Sequence, residues 1–272
     1  MLQVSQLYIY PIKSLGGVAV STAVVTDRGF QHDRRWMLVD DNNRFLSQRE
    51  IAAMALLQVE ILPDGLKVYH KKNANDYINI PLIPVIDKVV TSDIWGIPCN
   101  AKLVDPAADK WFSEILNFPC RLVYMAEETI VKVEEQYAVN NDLTSFSDGY
   151  PILMISEASL QDLNNRTGES LPMNRFRPNL VFTGGEAFVE DTMKEFTING
   201  YTFFGVKPSA RCVVTTIDQD TTEKGKEPLK TLSLYRRKDA KVYFGQNVIA
   251  AGIGKINIGD AISILQTKES LF

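Results

Sequence analysis

A cysteine beside an arginine is the residue whose type and setting best suit chemistry in this chain. Cys212 follows Arg211 and begins the run Cys212-Val-Val-Thr-Thr-Ile-Asp218. A neighbouring guanidinium favours the thiolate form of a thiol, and the thiolate is the form that binds a soft metal. Free cysteines are also commonly small buried hydrophobic residues. On the residues alone, both interpretations of Cys212 stay open.

Positive charge is concentrated in four short segments that contain turn residues. They are Tyr10-Pro-Ile-Lys-Ser-Leu-Gly-Gly17, Asp33-Arg-Arg-Trp36, Asn174-Arg-Phe-Arg-Pro-Asn179 and Lys207-Pro-Ser-Ala-Arg-Cys212. In the first segment, Lys13, Ser14 and the glycine amides together suit a phosphate or another anion. In the third, Arg175 and Arg177 alternate ahead of a proline, which predicts an extended segment with both guanidiniums on one side. A solvated surface is the competing interpretation of each charge.

Composition argues against several other kinds of site. The chain has 272 residues, a net charge of -4, three cysteines and two histidines. This cysteine count, without any Cys-x-x-Cys, disfavours a disulfide framework and a zinc or iron–sulfur site. His32 and His70 lie far apart, which disfavours a polyhistidine metal site. A pI near 5.4 lacks the basic footprint of nucleic-acid binding, so no nucleic-acid partner is expected.

The chain also lacks the sequence features of secretion and of a membrane span. Its first residues, Met1-Leu-Gln-Val-Ser-Gln-Leu-Tyr-Ile-Tyr10, have neither a basic region nor an apolar core of the signal-peptide type. No stretch approaches the ~18 consecutive apolar residues that a spanning helix needs. We therefore expect a cytoplasmic protein with reduced cysteines and no membrane partner.

Hydrophobic periodicity and turn residues predict strands with a few helices. Pro63-Asp-Gly65 lies between two alternating runs and predicts a hairpin. Helical spacing predicts helices over residues 106–117 and 156–165, the second with Ser156 as its N-cap. Further strands are expected at residues 88–94 and 100–104 around Trp95-Gly96, at 180–183, around Asn199-Gly200, at 212–217 and at 261–265.

Together these elements predict an α+β fold that is predominantly β. The first hundred residues indicate a small β-barrel or rolled sheet, and a second β-rich unit follows a junction near residues 105–120. Each unit is long enough to bury a core of its own.

Five segments, in the order in which they occur, resemble the signature segments of MOSC-domain proteins, named after the molybdenum cofactor sulfurase C-terminal domain. They are Tyr10-Pro-Ile-Lys-Ser14, Gly29-Phe-Gln-His-Asp-Arg-Arg-Trp-Met-Leu-Val39, Ser156-Glu-Ala-Ser-Leu160, Arg175-Phe-Arg-Pro-Asn179 and Lys207-Pro-Ser-Ala-Arg-Cys-Val-Val-Thr-Thr-Ile-Asp218. The similarity extends to bacterial relatives of the mitochondrial amidoxime-reducing component. It implies an N-terminal β-barrel-like domain over residues 1–118 and a β-barrel-based MOSC domain over residues 119–268.

The resemblance also implies a cofactor and its ligands. In that family a cysteine thiolate ligates pterin-bound molybdenum, and Cys212 stands at the matching position. Positions that hold the cofactor's phosphate and pterin are matched by Lys13, Ser14, Arg34 and Arg177. Three further residues fall within matching motifs and are assigned to the same cofactor: Asn179, Arg211 and Thr215. The implied cofactor is therefore the molybdenum cofactor, and pyridoxal phosphate is not expected.

The activity that the resemblance implies is a molybdenum-dependent reduction. Its substrates are small N-hydroxylated compounds, such as amidoximes, hydroxylamines and N-hydroxylated bases, which lose an oxygen atom at molybdenum. One protein thiolate is enough because this cofactor brings its own dithiolene sulfurs. Ser209 stands where many relatives have a second cysteine. No ferredoxin-type cysteine cluster follows the MOSC-like segment, so a separate reductase, ferredoxin or flavoprotein is expected to supply electrons.

Two other functions fit the same residues. Cys212 would carry a persulfide in a sulfur-carrier or cofactor-handling protein. In a pterin-binding module without chemistry of its own, the basic segments alone would act. The reductase, with Cys212 as metal ligand, is the leading hypothesis, and these two functions are its alternatives.

Overall fold

A computed structural model describes residues 1–94 and 96–272, and strands form most of its regular structure. In chain order the strands are β1 (Leu2–Ile9), β2 (Val18–Val20), β3 (Thr22–Thr26), β4 (Gly29–Phe30), β5 (Trp36–Val39), β6 (Leu57–Ile61), β7 (Gly65–His70), β8 (Asn73–Pro81), β9 (Val89–Ile94), β10 (Ile97–Leu103), β11 (Arg121–Tyr124), β12 (Ile152–Ser156), β13 (Leu180–Thr183), β14 (Met193–Ile198), β15 (Tyr201–Arg211), β16 (Arg237–Lys238), β17 (Lys241–Ala250), β18 (Gly254–Asn257) and β19 (Ala261–Thr267). The helices are α1 (Pro106–Leu116), α2 (Glu157–Thr167) and α3 (Leu229–Leu232). With 42% strand and 16% helix, the structure confirms the predominantly β fold class.

Local sequence signals place several of these elements where they were predicted. Strands β6 and β7 pair as an antiparallel hairpin across the Pro63-Asp-Gly65 turn. Helix α2 begins after Ser156, whose hydroxyl accepts a hydrogen bond from the amide of Ala158, so the predicted N-cap is confirmed. Strands β9 and β10 also pair, but Trp95, at the predicted turn between them, lies outside the described residues.

Seven strands close into a barrel. Their order is β12-β13-β1-β19-β14-β15-β17, and β17 pairs back onto β12. Large apolar side chains fill the interior, among them Phe182, Phe196 and Phe203, each of them buried. Closure leaves these strands without free edges, so the barrel is a rigid frame for the residues at its rim.

The N-terminal residues contribute directly to this barrel. Strand β1 lies between β13 and β19, and β2 pairs with β1. Four more strands form a separate sheet in the order β5-β11-β10-β9, and two three-stranded sheets have the orders β6-β7-β8 and β18-β3-β4. The domain boundary at residue 118 stays a prediction, and strand pairing crosses it.

Helices play a smaller part. The longest helices in the described ranges, α1 and α2, have 11 residues each. None of the described helices has the length and apolarity that crossing a membrane requires.

A buried carboxyl beneath helix α2 predicts a pH-dependent stability. Glu190 accepts hydrogen bonds from the amide of Ser156 (3.2 Å) and the hydroxyl of Ser159 (2.9 Å). Burial raises its pKa from an ordinary 4.5 to about 7. The native state therefore binds this proton more tightly than the unfolded chain, so stability is highest below the unfolded pKa and falls as the pH rises through the folded pKa.

We expect the free energy of unfolding to fall by on the order of 2 kcal/mol between about pH 5 and about pH 8. Urea denaturation at both pH values measures this change. Glu190→Gln should flatten the dependence, while Glu186→Gln, at an exposed position on the same segment, should retain it. Equal pH dependence in Glu190→Gln and the wild type would contradict the assignment.

Candidate cofactor site

The rim of the barrel and the N-terminal elements enclose a cavity of about 250 Å³. All eight residues assigned from the sequence line it: Lys13, Ser14, Arg34, Arg177, Asn179, Arg211, Cys212 and Thr215. They come from segments as far apart as the start of the chain and the end of β15. The structure therefore brings the basic segments and the thiol to one place, while their roles toward a cofactor stay predictions.

Cys212 is the first residue after strand β15. Its carbonyl oxygen accepts hydrogen bonds from the amide (3.1 Å) and the hydroxyl (2.9 Å) of Thr215. Its Sγ accepts a hydrogen bond at 3.2 Å from Nη2 of Arg49. The thiol is thus held at a fixed junction and faces a guanidinium.

The strand predicted over residues 212–217 is wrong. Val213–Thr216 form a turn of 3₁₀ helix instead. The run of β-branched residues favours a strand, but the hydroxyls of Thr215 and Thr216 each donate to the carbonyl three residues back. These local bonds replace the strand ladder and turn the chain directly after Cys212.

Two arginines of the cavity contact one aromatic ring. The guanidinium carbons of Arg34 and Arg177 each lie 4.4 Å from the ring centroid of Tyr10. Burial lowers the pKa of Arg177 to about 10 and raises that of Tyr10 to about 12, so at neutral pH the arginine is charged and the phenol neutral. Cation–π contact with one shared ring lets two like charges occupy a small volume.

Both arginines adopt left-handed backbone conformations, as does Ser14. Their φ angles are 47° for Arg34, 57° for Arg177 and 70° for Ser14. Such angles cost about 1–3 kcal/mol each outside glycine and persist only where the surroundings enforce them. The expected extended segment at residues 175–177 is therefore wrong, although Arg175 and Arg177 both line the cavity.

The side chain of Asn179 makes hydrogen bonds to Arg34 and to three neighbouring protein groups. Its oxygen accepts hydrogen bonds from Nη1 of Arg34 (2.8 Å) and the amide of Leu153 (3.2 Å). Its nitrogen donates to Asp33 (2.9 Å) and to the carbonyl of Tyr8 (3.2 Å). These four bonds use the full capacity of the amide, which leaves none for direct contact with a ligand.

Asn179→Ala should therefore destabilise the protein by about 2 kcal/mol, because Arg34 and Asp33 each lose a buried partner. Urea denaturation of metal-free protein measures the loss. Asn174→Ala is the matched control, since the side-chain oxygen of Asn174 has no hydrogen-bond partner among the described residues. A loss no larger than that of the control would show that the network contributes little.

Lys13 holds a different part of the cavity wall. Its buried ammonium donates to the carbonyl of Phe146 (2.8 Å) and to Asp148 (2.5 Å). Burial lowers the pKa of Lys13, and the Asp148 carboxylate opposes that shift. The pair places a carboxylate among the basic residues that line the cavity.

Sequence reasoning missed several residues of this site. Arg49, Asp148 and Lys207 line the cavity although none was assigned a role. Arg49 carried almost no signal, as an isolated arginine between a glutamine and a glutamate. Its importance comes from a contact with a residue 163 positions away, which local pattern does not encode.

The other two cysteines lie elsewhere. Cys99 and Cys120 are buried, and burial raises the pKa of each thiol to about 11. Within the described ranges, Cys212 is the one thiol that lines the cavity. It is therefore the one soft ligand that the cavity offers to a metal.

The residues present fit a phosphate-bearing group with a metal that needs a sulfur ligand. Two buried donor atoms, Nη2 of Arg177 and Nε of Arg211, have no hydrogen-bond partner in the described part of the chain. Buried donors of this kind call for a water, an ion or a ligand. The sulfur of Cys212, in the same cavity as these arginines, supplies the metal ligand that such a group requires.

Fold and cavity define a protein of two β-barrel-type parts with a thiol at a cationic site. Comparison with known sequences agrees: residues 1–119 match the MOSC N-terminal beta barrel domain, and residues 141–263 match the MOSC domain. The chain belongs to the MOSC-domain family, as its signature segments predicted.

Three relatives show the breadth of this similarity. Mitochondrial amidoxime-reducing component 1 of Homo sapiens is 31% identical over 96% of this chain and 82% of that protein. For mitochondrial amidoxime reducing component 2 of Rattus norvegicus, the identity is 33% over 95% of this chain and 82% of that protein. Molybdenum cofactor sulfurase of Oryza sativa subsp. japonica is 29% identical over 90% of this chain but only 32% of that protein.

Proposed function

We propose that this protein is a molybdenum-cofactor enzyme that reduces small N-hydroxylated compounds. The observation that carries the proposal is the position of Cys212, whose thiol lines the same cavity as Lys13, Arg34 and Arg177 and accepts a hydrogen bond from Arg49. Support also comes from the family relationship, because the amidoxime-reducing components match this chain over most of their length.

Different residues of the cavity would bind different parts of the cofactor. Lys13, Ser14, Arg34 and Arg177 would neutralise and orient the cofactor's phosphate and pterin, and Cys212 would ligate its metal. When bound, the cofactor supplies the redox chemistry that removes oxygen from the substrate.

Other residues hold these ligands in place. The guanidinium of Arg211 donates to the hydroxyl of Ser209 (3.0 Å) and to the carbonyl of Phe176 (2.6 Å). Ser209, at the position of the relatives' second cysteine, thus fixes the arginine that precedes the metal ligand. Asn179 and Thr215 would act in the same indirect way, through Arg34 and the backbone of Cys212.

Electrons would come from a separate donor protein of the reductase, ferredoxin or flavoprotein type. Cys99 and Cys120 are buried away from the cavity, which supports an external source rather than an additional cysteine-ligated centre. The cytoplasmic location stays a prediction.

Metal analysis of freshly purified protein tests the proposal. Protein from cells that make the cofactor should contain about one molybdenum per chain, and it should reduce an amidoxime with a chemically reduced dye as donor. Purified protein without molybdenum, or loaded protein without turnover of any N-hydroxylated compound, would contradict it.

A sulfur-carrier or cofactor-handling role is the second candidate. The similarity to the rice molybdenum cofactor sulfurase favours it, and so does the partial exposure of Cys212, which a persulfide would require. Release of sulfur by cyanide from metal-free protein, lost in Cys212→Ala, would support this role. Tightly bound molybdenum with steady turnover would reject it.

A further inference from the structure

A contact between distant parts of the chain brings a guanidinium onto the thiol of the site. Nη2 of Arg49 donates to Sγ of Cys212 at 3.2 Å, and the two residues are separated by 163 positions in the sequence. Arg49 lies in the loop between β5 and β6, outside the segments that carry the family resemblance. When the sulfur ligates a metal it carries negative charge, and a hydrogen bond from a guanidinium to it is then charge-assisted.

The backbone that carries Arg49 is held firmly. Gln48 is fully buried, and its amide donates to the carbonyl of Ser14 (2.7 Å). Gln48 and Gln219 also exchange two hydrogen bonds, at 3.1 and 3.0 Å. Lys71 donates to the carbonyl of Gln219 at 2.7 Å. A reciprocal amide pair between distant segments therefore fixes the residue next to Arg49.

Arg49 interacts electrostatically with two other charged residues of the cavity. Lys13 lies close enough to interact unfavourably with it, and Asp148 interacts favourably with both cations. Keeping a further cation beside Lys13 costs electrostatic energy. The sulfur of Cys212 is a partner that offsets this cost when it is ionised or ligates a metal.

We infer that Arg49 is a positioning residue for Cys212 and raises the reduction potential of the metal that this thiolate holds. The inference rests on the proposed function. A hydrogen bond from a cation withdraws electron density from a metal-bound sulfur and stabilises the more electron-rich, reduced state. Arg49 therefore acts through the sulfur, and it makes the metal easier for an electron donor to reduce.

Replacement of Arg49 by methionine in the full, cofactor-loaded protein tests this role. Arg49→Met keeps a long side chain but removes both charge and donors. We expect the ratio of reduced to oxidised metal at a fixed ambient potential to fall by on the order of tenfold, which for a one-electron couple is about 59 mV. Spectroelectrochemical titration of the molybdenum signal measures the potential, and metal analysis confirms loading.

Two further variants separate a specific effect from a structural one. Arg49→Lys retains the charge and should recover part of the potential. Arg44→Met removes an exposed arginine of the same loop that does not line the cavity, and should leave the potential unchanged. If Arg49→Met loses its metal, the potential of Arg49→Lys tests the inference instead. The inference then requires that Arg49→Lys retains the metal and has a reduction potential below that of the wild type.

An unchanged potential in loaded Arg49→Met would overturn the inference and leave the proposed function intact. A loaded Arg49→Lys with the wild-type potential, next to an unloaded Arg49→Met, would overturn it as well. Wild-type protein that binds no molybdenum would instead reject the proposed function. The two failures are thus distinguished by the wild-type metal content.

Discussion

Cys212→Ala is expected to yield folded protein that contains no molybdenum and reduces no N-hydroxylated substrate. The thiol is the one soft ligand lining the cavity within the described ranges, and oxygen or nitrogen donors do not replace it for a thiolate-ligated metal. The side chain is only partly buried, so its truncation should cost less than about 1 kcal/mol of stability. Metal analysis, turnover and thermal unfolding of one preparation test all three parts.

A matched control separates the loss of a ligand from the loss of a cysteine. Cys99→Ala removes a buried thiol away from the cavity and should keep both molybdenum and activity, at a cost of about 1–2 kcal/mol in stability. A Cys212→Ala variant with a full complement of metal would contradict the role of Cys212. A Cys99→Ala variant without metal would show that the metal content reflects the folding of the protein and not the loss of a ligand.

Arg177→Met is expected to weaken cofactor binding by about 100-fold, or roughly 3 kcal/mol. The guanidinium lies against Tyr10, and its Nη2 is buried without a hydrogen-bond partner among the described residues. A phosphate or pterin oxygen would complete its bonding, and charge-assisted bonds of this kind contribute about 1.5–3 kcal/mol each. Molybdenum retained through dialysis and gel filtration measures the loss.

The same substitution should stabilise the metal-free protein, by on the order of 1 kcal/mol. It removes a buried, incompletely paired cation that also lies near Arg34. Arg237→Met, on the exposed strand β16, should change neither quantity. Reduced stability of the metal-free variant together with normal cofactor retention would show that Arg177 has a structural role only.

The sequence predicts most of the local structure because local rules govern it. Pro63-Asp-Gly65 contains its own turn chemistry, and the hydroxyl of Ser156 bonds to an amide two residues away. The strand predicted after Cys212 is wrong because two local preferences compete there. Its β-branched residues indicate a strand, while two threonine hydroxyls bond backwards and favour a 3₁₀ turn.

Some residues of the site can be predicted from sequence motifs, and others only from the folded structure. The signature motifs of the sequence predict that residues such as Lys13 and Arg177 belong to one site. Arg49 could not, because its partner lies 163 positions away and the intervening Gln48–Gln219 pair appears only after folding. Asn179 is predicted to bind the cofactor and lines the cavity, but its side chain makes four bonds to protein groups, which a sequence motif does not reveal.

Strand β1 has a consequence for how the protein is made. It begins at Leu2, yet its neighbours in the barrel are β13 and β19, and β19 ends at Thr267. A ribosome adding about 5–20 residues per second needs on the order of tens of seconds to pass from one to the other. During that time the first strand has no partner on one side, so the nascent chain carries an open edge that invites pairing with other chains. The barrel that holds Cys212 can therefore close only after β19 has been synthesised, long after its first strand.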